Sequence, residues 1–533
     1  MKIKVVLLIL TFWLPTMAQH TEFHIIPKPN QIEIFNGFFE IHKNTQIVAS
    51  DATLETAKQF QSFLINRYHL KLAIGNTLQK NKNNIVLKLA NNLAKEAYQL
   101  SITKNQILIT GGSLTGIFYG FQTIQQFLLQ QQTIELPIKL PILKIEDAPK
   151  FGWRAYMLDE SRYFHGKEFV KLILDEMALL KMNVFHWHLT DDAGWRIEIK
   201  KYPKLTEIGA TRADSEIETW GSGKTSGKTH SGYYTQEEIK EIVAYAAAKH
   251  ITIVPEFEMP GHSSAAIAAY PWLGTLGKKI EVPVKFGRHY DNYDVTKPKV
   301  QQFIKDVLNE LFELFPSEVI HIGGDEVGYK VWEEAEHVQK YMKEKGLKTP
   351  ADLQIYFTNN ISKFIESKGR RMMGWNEIMG KNIHKGFEEK KHDKEAETSL
   401  AQNVVVHFWK GNLELATEAA EKGYGIVNSL HSNTYLDYSY KSISLQKAYN
   451  FNPIPEGLEE KYHKNIYGLG CQMWSEWTPT NNDVAYQTFP RIAAFAEVGW
   501  TNTTAKNFET FKLALKLLQQ HWKNKGINYA NKL

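Results

Sequence analysis

Near the middle of the chain, His321 to Trp332 reads HIGGDEVGYKVW, with two acids, Asp325 and Glu326, side by side after an apolar run and two glycines. Carboxylates held together can divide proton work, one donating a proton while the other accepts one or steadies a positive charge. A lone Asp-Glu pair is more often the hydrated tip of a turn. This pair has company. Acids and aromatics also stand at or just after the ends of other strand-like runs: Asp159, His188 with Asp191, Glu258, Trp375, Trp409, Tyr435 with Asp437, and Trp474 with Glu476. Their recurrence is what an open catalytic face assembled from many strand ends requires.

From Trp153 onward come eight strand-like runs that can carry those residues: WRAYMLD, NVFHWHL, ITIVPEFE, VIHIGGD, RMMGW, VVVHFW, GIVNSL and IYGLGCQMW. Helical patterns separate them, clearest at Lys167–Leu180, Thr235–Lys249, Lys299–Leu314, Ala351–Lys368 and Leu413–Lys422. Eight such units over about 350 residues predict a (β/α)₈ TIM barrel with insertions, whose reactive groups lie at the C-terminal ends of the strands. Between Ile25 and Ile145, short β-type runs (QIEIF, FFEIH, TQIVAS, NIVLKLA, YQLSITKNQILITG) mix with helical patterns after Asp51 and over Leu114–Gln130, which predicts a small α+β domain. LKIEDAPKFGW reads as the connector. The expected division is a leader over 1–18, the α+β domain over 19–148, and the barrel with a C-terminal helix over 149–533.

The leader rests on Lys2 and Lys4, an apolar run from Val5 to Leu14, and Thr16-Met17-Ala18 with small residues around a cleavage site after Ala18. The run is too short to span a bilayer stably, so the mature chain is expected to be exported, periplasmic or extracellular, and free of the membrane. A formal charge of +5 on 533 residues, two of it in Lys2 and Lys4, is too weak and dispersed to argue for nucleic acid. Cys471 is the single cysteine, so no intramolecular disulfide forms, and its apolar context GLGCQMW reads as a buried small residue. GSGKTSGKTH, Gly221 to His230, lacks the glycine spacing and leading strand of a phosphate-binding loop and reads as a βα loop. His186, His188, His262 and His321 show no metal-ligand spacing, so no metal is expected. Aromatics make up 12% of the chain, with 13 tryptophans, which serve cores and also stack on pyranose faces.

Taken together, HIGGDE, WRAYMLDESRYF, HWHLTDDAGWR, PEFEMPGHSSAA, GWNE, TYLD and QMWSEW…FPRIAAFAEVGW resemble the family-20 glycoside hydrolases, the β-N-acetylhexosaminidases. IIPKPNQIEI and LTGIFYGFQTIQQFL resemble the small domain that precedes the barrel in that family. The resemblance implies exo-acting, retaining release of a terminal N-acetylhexosamine from a β-linked oligosaccharide, with no cofactor. Its nucleophile is the substrate's own 2-acetamido oxygen, which closes on C1 to an oxazolinium ion, a known departure from the two-carboxylate rule. That accounts for the adjacency of the two acids: a retaining pair needs its carboxyls about 5 Å apart across one carbon, whereas sequence neighbours diverge and serve two stations.

By the same resemblance, Glu326 is the general acid and then base, Asp325 takes the acetamido N–H, and Tyr435 holds the acetamido oxygen. Trp375, Trp409 and Trp474 wall the pocket; Arg154, Asp437 and Glu476 bind ring hydroxyls; Asp191 and His262 tune the acid. Asp159 is expected to pair with Arg162 or Arg154. Three residues depart from the family pattern: Ala155 where Gly is usual, Gly470 where Gln is common, and Glu258 for Asp. Glu258 bears on the groups behind the acid pair, and Gly470 on the pocket floor. Two rival readings follow from the residues: a carbohydrate-binding protein without catalysis, which need not keep Asp325, Glu326 and Tyr435 together, and a conventional glycosidase with Glu258 or Glu476 as its second carboxylate.

Overall fold

Strands separated by helices of 9 to 18 residues pair in parallel, because each crossover returns the chain to the same edge. A computed structural model, which describes residues 24–80, 83–130, 135–287, 291–381 and 395–532, shows this arrangement closed into an eight-stranded parallel barrel. The leader read at 1–18 lies outside the described residues. In chain order the barrel strands are Trp153–Asp159, Val184–His188, Thr252–Glu256, Val319–His321, Arg371–Trp375, Val404–Phe408, Gly425–Asn428 and Ile466–Met473. Helices cover their outer face, so runs such as VFHWH and VVVHF are buried at every position instead of alternating. Helix starts are chemically marked: Thr235 and Glu238 form a capping box, and Thr349 with Pro350 and Asp352 does the same. Aliphatic side chains do not fill the whole barrel axis; His186, His188, Glu256, His321 and His407 lie there, all at most 2% exposed.

Ahead of the barrel, seven strands form one mixed sheet. Two of them escape the sequence reading. Ala73–Gly75 is only three residues long, and Ile138–Asp147 contains Pro141. Pro141 is tolerated because the strand pairs there on one side only, with Phe38; pairing to Tyr98–Ile102 on the other side begins at Leu143. The expected connector therefore gives its first five residues, Leu143–Asp147, to the sheet. QIEIF and FFEIH, read as separate runs, are one strand, Gln31–Ile41, bulged where Gly37 adopts a φ of 104°.

Helix Leu114–Leu129 is buried nearly all round, because it lies between this sheet and the barrel. Two ionic contacts cross the same junction. Lys181 and Asp147 pair at 3.3 Å with neither side chain exposed, and Asp147 also accepts from Tyr98, Trp500 and the Asn30 backbone. Arg154, 1% exposed near the start of the first barrel strand, donates to both oxygens of Glu96 and to Tyr119 of the small domain. The glycine-rich stretch Gly221–His230 is a loop in which Lys224 is held by both oxygens of Glu218 at 2.8 Å. Cys471 is fully buried beside the Ala155 carbonyl, and burial pushes its thiol up. Among the described residues, no helix is long and apolar enough to cross a membrane.

Candidate active site

The fourth barrel strand ends at His321, four residues earlier than its apolar pattern suggests. Gly323 and Gly324 have φ of 65° and 92°, and Glu326, which is not a glycine, has φ of 49°. A left-handed turn of this kind, not an extended strand, carries Asp325 and Glu326. For a residue with a side chain it costs on the order of 1–3 kcal/mol, and such strain collects at functional positions. Gly323 is also fixed by its surroundings: a Cβ built there would stand 1.7 Å from the Glu258 carboxylate.

His262, likewise left-handed at φ 47°, faces both acids, with Nε2 3.6 Å from Asp325 Oδ2 and 3.9 Å from Glu326 Oε2. Its Nδ1 lies 3.2 Å from Asp191 and from Asp192. Burial works against a charged imidazole here, but these carboxylates overcome it and raise His262 well above its usual range. Asp191 in turn receives Arg162 at 2.8 Å and His188 Nε2 at 3.0 Å; burial alone would push its carboxyl up, yet Arg162 and His262 hold it well below the usual range. Asp325 is different. Burial pushes it up to about 6, against the pull of His262, with Glu326 and Glu256 adding to the rise.

Arg154 is not part of this assembly. It is five residues before the strand end at Asp159, about 16 Å back along an extended chain, at the face of the barrel opposite the site, where it latches the small domain. The guanidinium that does reach the assembly is that of Arg162. It pairs with Asp159 at 3.3 Å and Asp191 at 2.8 Å, stands 3.8 Å from Glu476, and lies 4.9 Å over the Trp474 ring. Position within the strand was the signal for it: a guanidinium just past a barrel strand's C-terminal end reaches the open face, and one near its start does not. Asp159 takes the structural part foreseen for it, accepting from Arg162 and from the backbone N–H groups of Ser161 and Ser475.

Four aromatic rings enclose the space next to the acids. Trp375 stacks on His407 at 4.1 Å and stands 5.9 Å from Trp474, while Tyr435 is stacked parallel to Trp409 at 6.0 Å and is 6.0 Å from Trp474. Two indoles are anchored by carboxylates that the sequence reading passed over: Trp375 Nε1 donates to Glu256 at 2.8 Å, and Trp409 Nε1 to Glu377 at 2.9 Å. No spacing rule marks either acid, because each acts through a ring that was read on its own. Asp437 neighbours Glu476, and burial with that second acid raises its carboxyl well above the usual range. Glu476 is raised too, by burial first, although Arg162 opposes it. Buried polar atoms without a hydrogen-bond partner include Asp325 Oδ1, His262 Nε2, Asp437 Oδ1 and Trp474 Nε1. In a folded interior such groups are paired unless a ligand or water completes them.

The three departures sort into two kinds. Ala155 and Gly470 are directly paired across neighbouring strands, and a Cβ at Gly470 would stand 3.6 Å from that of Ala155. That is ordinary contact; what a side chain at Gly470 would crowd is Gln472 Nε2 at 2.7 Å and Ser429 Oγ at 2.9 Å. Glu258 is 2% exposed with neither oxygen hydrogen-bonded, and burial with Asp325 and Glu256 nearby raises it well above the usual range, which leaves it a poor nucleophile. His186, Glu256 and His321 bring potential ligand atoms within 4.8 Å of one another, but the Glu256 oxygens are already taken by ring N–H donors.

Known proteins match over this whole arrangement. Residues 22–148 match glycosyl hydrolase family 20, domain 2, and residues 151–503 the family 20 catalytic domain. A beta-hexosaminidase of Porphyromonas gingivalis is 34% identical over 95% of this chain, which spans 64% of that protein's length. One from Vibrio furnissii is 34% identical over 89% of this chain and 76% of its own. The crystal structure of the exo beta-N-acetylglucosaminidase of Vibrio harveyi, solved with N-acetylglucosamine, superposes with a TM-score of 0.82 at 29% identity, covering 95% of this chain and 78% of that one. With both of its domains matched in order, and with the acid pair, its histidine and the aromatic enclosure gathered at one end of the barrel, the chain belongs to glycoside hydrolase family 20.

Proposed function

We propose that the protein is an exo-acting, retaining β-N-acetylhexosaminidase that removes terminal non-reducing N-acetylglucosamine or N-acetylgalactosamine through an oxazolinium ion. The observation that carries this reading is a set of buried polar atoms without a hydrogen bond (Asp325 Oδ1, Asp437 Oδ1, Trp474 Nε1) beside four aromatic rings and an acid pair that shares His262. A pyranose with an N-acetyl arm matches that inventory: flat faces for the rings, hydroxyls for Asp437, Glu476 and Arg162, and an amide N–H for Asp325.

In this reading Glu326 protonates the glycosidic oxygen while the acetamido oxygen closes on C1. Asp325 accepts the amide N–H and steadies the positive charge, and Tyr435 orients the oxygen. Glu326 then takes a proton from water as the ring opens. The test is a panel of aryl glycosides that differ only at C2 and in the orientation of the 4-hydroxyl. The 2-acetamido sugars should be turned over, and the 2-hydroxy and 2-deoxy sugars should scarcely react. A 2-hydroxy glucoside cleaved as fast as its 2-acetamido counterpart overturns the reading.

Export belongs to the same proposal, on the strength of Lys2, Lys4 and Thr16-Met17-Ala18. Intact-mass measurement of the protein from its native host should show Gln19 as the first residue, and a full-length cytosolic product would defeat it.

A further inference from the structure

We infer that Glu256 is a positioning residue, one buried carboxylate that holds a wall of the acetamido pocket with one oxygen and the partners of the acid pair with the other. The inference rests on the proposed function, in which Trp375 is that wall. Glu256 ends the third barrel strand and is 1% exposed. Its Oε1 accepts Trp375 Nε1 at 2.8 Å and has His321 Nδ1 at 2.9 Å; its Oε2 has His188 Nδ1 at 2.5 Å and His186 Nε2 at 3.0 Å. Two arms leave this centre. On one, the Trp375 indole is pinned at its N–H and stacked on His407 from the side, so neither slide nor rotation is free.

On the other arm, His188 bridges carboxylates at both nitrogens, Glu256 at Nδ1 and Asp191 at Nε2. Burial opposes a charged ring there, yet these neighbours raise His188 to about 10. Asp191 then faces His262, and His262 faces Asp325 and Glu326. Charges alternate along this file from the barrel axis to the reacting atoms: carboxylate, imidazolium, carboxylate, imidazolium, carboxylate. Apolar packing would fill a barrel axis at no loss of stability, because a buried ionic group repays its desolvation only when every contact is met. What an anion at this position supplies is direction: it fixes two donors that approach from different strands.

The test uses the full-length protein with Glu256→Gln. Glutamine keeps the volume but turns an NH₂ toward N–H donors, so one arm must let go. A shift on the order of 1 Å in a positioning group costs about 10²-fold. kcat/KM for a 2-acetamido aryl glycoside should therefore fall about 10²-fold, and the inhibition constant of a thiazoline mimic of the cyclic intermediate should rise in parallel, with the circular dichroism spectrum unchanged. Should Glu256→Gln fail to fold, the coupling is read between Trp375→Phe, which keeps a smaller aromatic face but loses the N–H, and His188→Gln. Their combined loss should fall short of the product of the single losses, since both act on one carboxylate. A folded Glu256→Gln within threefold of wild type in both constants, or strictly multiplicative losses, overturns the inference. Wild type that ignores the 2-substituent and the thiazoline overturns the proposed function as well; wild type that obeys both while Glu256→Gln is neutral overturns this inference alone.

Discussion

Glu326→Gln should lower turnover of natural disaccharides by about 10² to 10⁴, roughly 3 to 5 kcal/mol of barrier, the range expected when a positioned acid is removed. Glutamine is isosteric, and the left-handed backbone at this position is set by the preceding glycines rather than by the side chain, so the fold should persist. The loss should depend on the leaving group. A nitrophenolate departs without a proton, so nitrophenyl glycosides should suffer less in the first step, whereas a sugar alkoxide cannot leave unprotonated. Kinetics on a nitrophenyl glycoside and a disaccharide, side by side, check this. Equal losses on both would move the acid's role to another residue.

Asp325→Asn and Tyr435→Phe should each cost on the order of 10² to 10³ in turnover of 2-acetamido substrates, since each removes one preorganised contact to the closing ring. The double variant should lose less than the product of the two, because both groups grip one acetamido unit. Asp325 also sets a pH dependence. Its carboxyl is pushed up to about 6, chiefly by burial, and only the anion accepts the amide N–H while steadying positive charge. kcat/KM should therefore fall as pH drops through about 6, and that limb should be missing in Asp325→Asn. Proton NMR in the first minutes of reaction should show retention at C1. A carboxylate trapped as an ester by a 2-fluoro glycoside would instead make Glu258 or Glu476 the nucleophile to examine.

The barrel was legible because its strands are buried on both faces and read as continuous apolar runs; the strand Val404–Phe408 is VVVHF with nothing exposed. Strand ends were less legible where the backbone departs from β geometry, as at Gly323, since residue type alone does not show that an apolar run has already turned left-handed. The acids and rings of the site were legible because chemistry demands those types at strand ends. Arg154 misled because an arginine beside a motif invites a binding role, while its neighbour at Glu96, fifty-eight residues away in sequence, cannot be seen without the fold. Glu256 and Glu377 stayed hidden for a related reason: their work is done through tryptophans that were read on their own. Strand Ile138–Asp147 was passed over because one-sided pairing, which makes Pro141 harmless, is a property of the sheet and not of the segment.

Arg154 and Lys181 give the small domain a meaning that its distance from the chemistry conceals. Each places a cation inside the barrel's closed end and leaves its anion, Glu96 or Asp147, on the preceding sheet. Within the intact protein, deleting the Asp147 carboxylate would leave the Lys181 ammonium buried without its partner, at a cost of about 3–5 kcal/mol, comparable to much of a domain's net stability. Anyone seeking a minimal catalyst must therefore either keep the sheet or first rebuild the barrel's underside where Arg154 and Lys181 meet it.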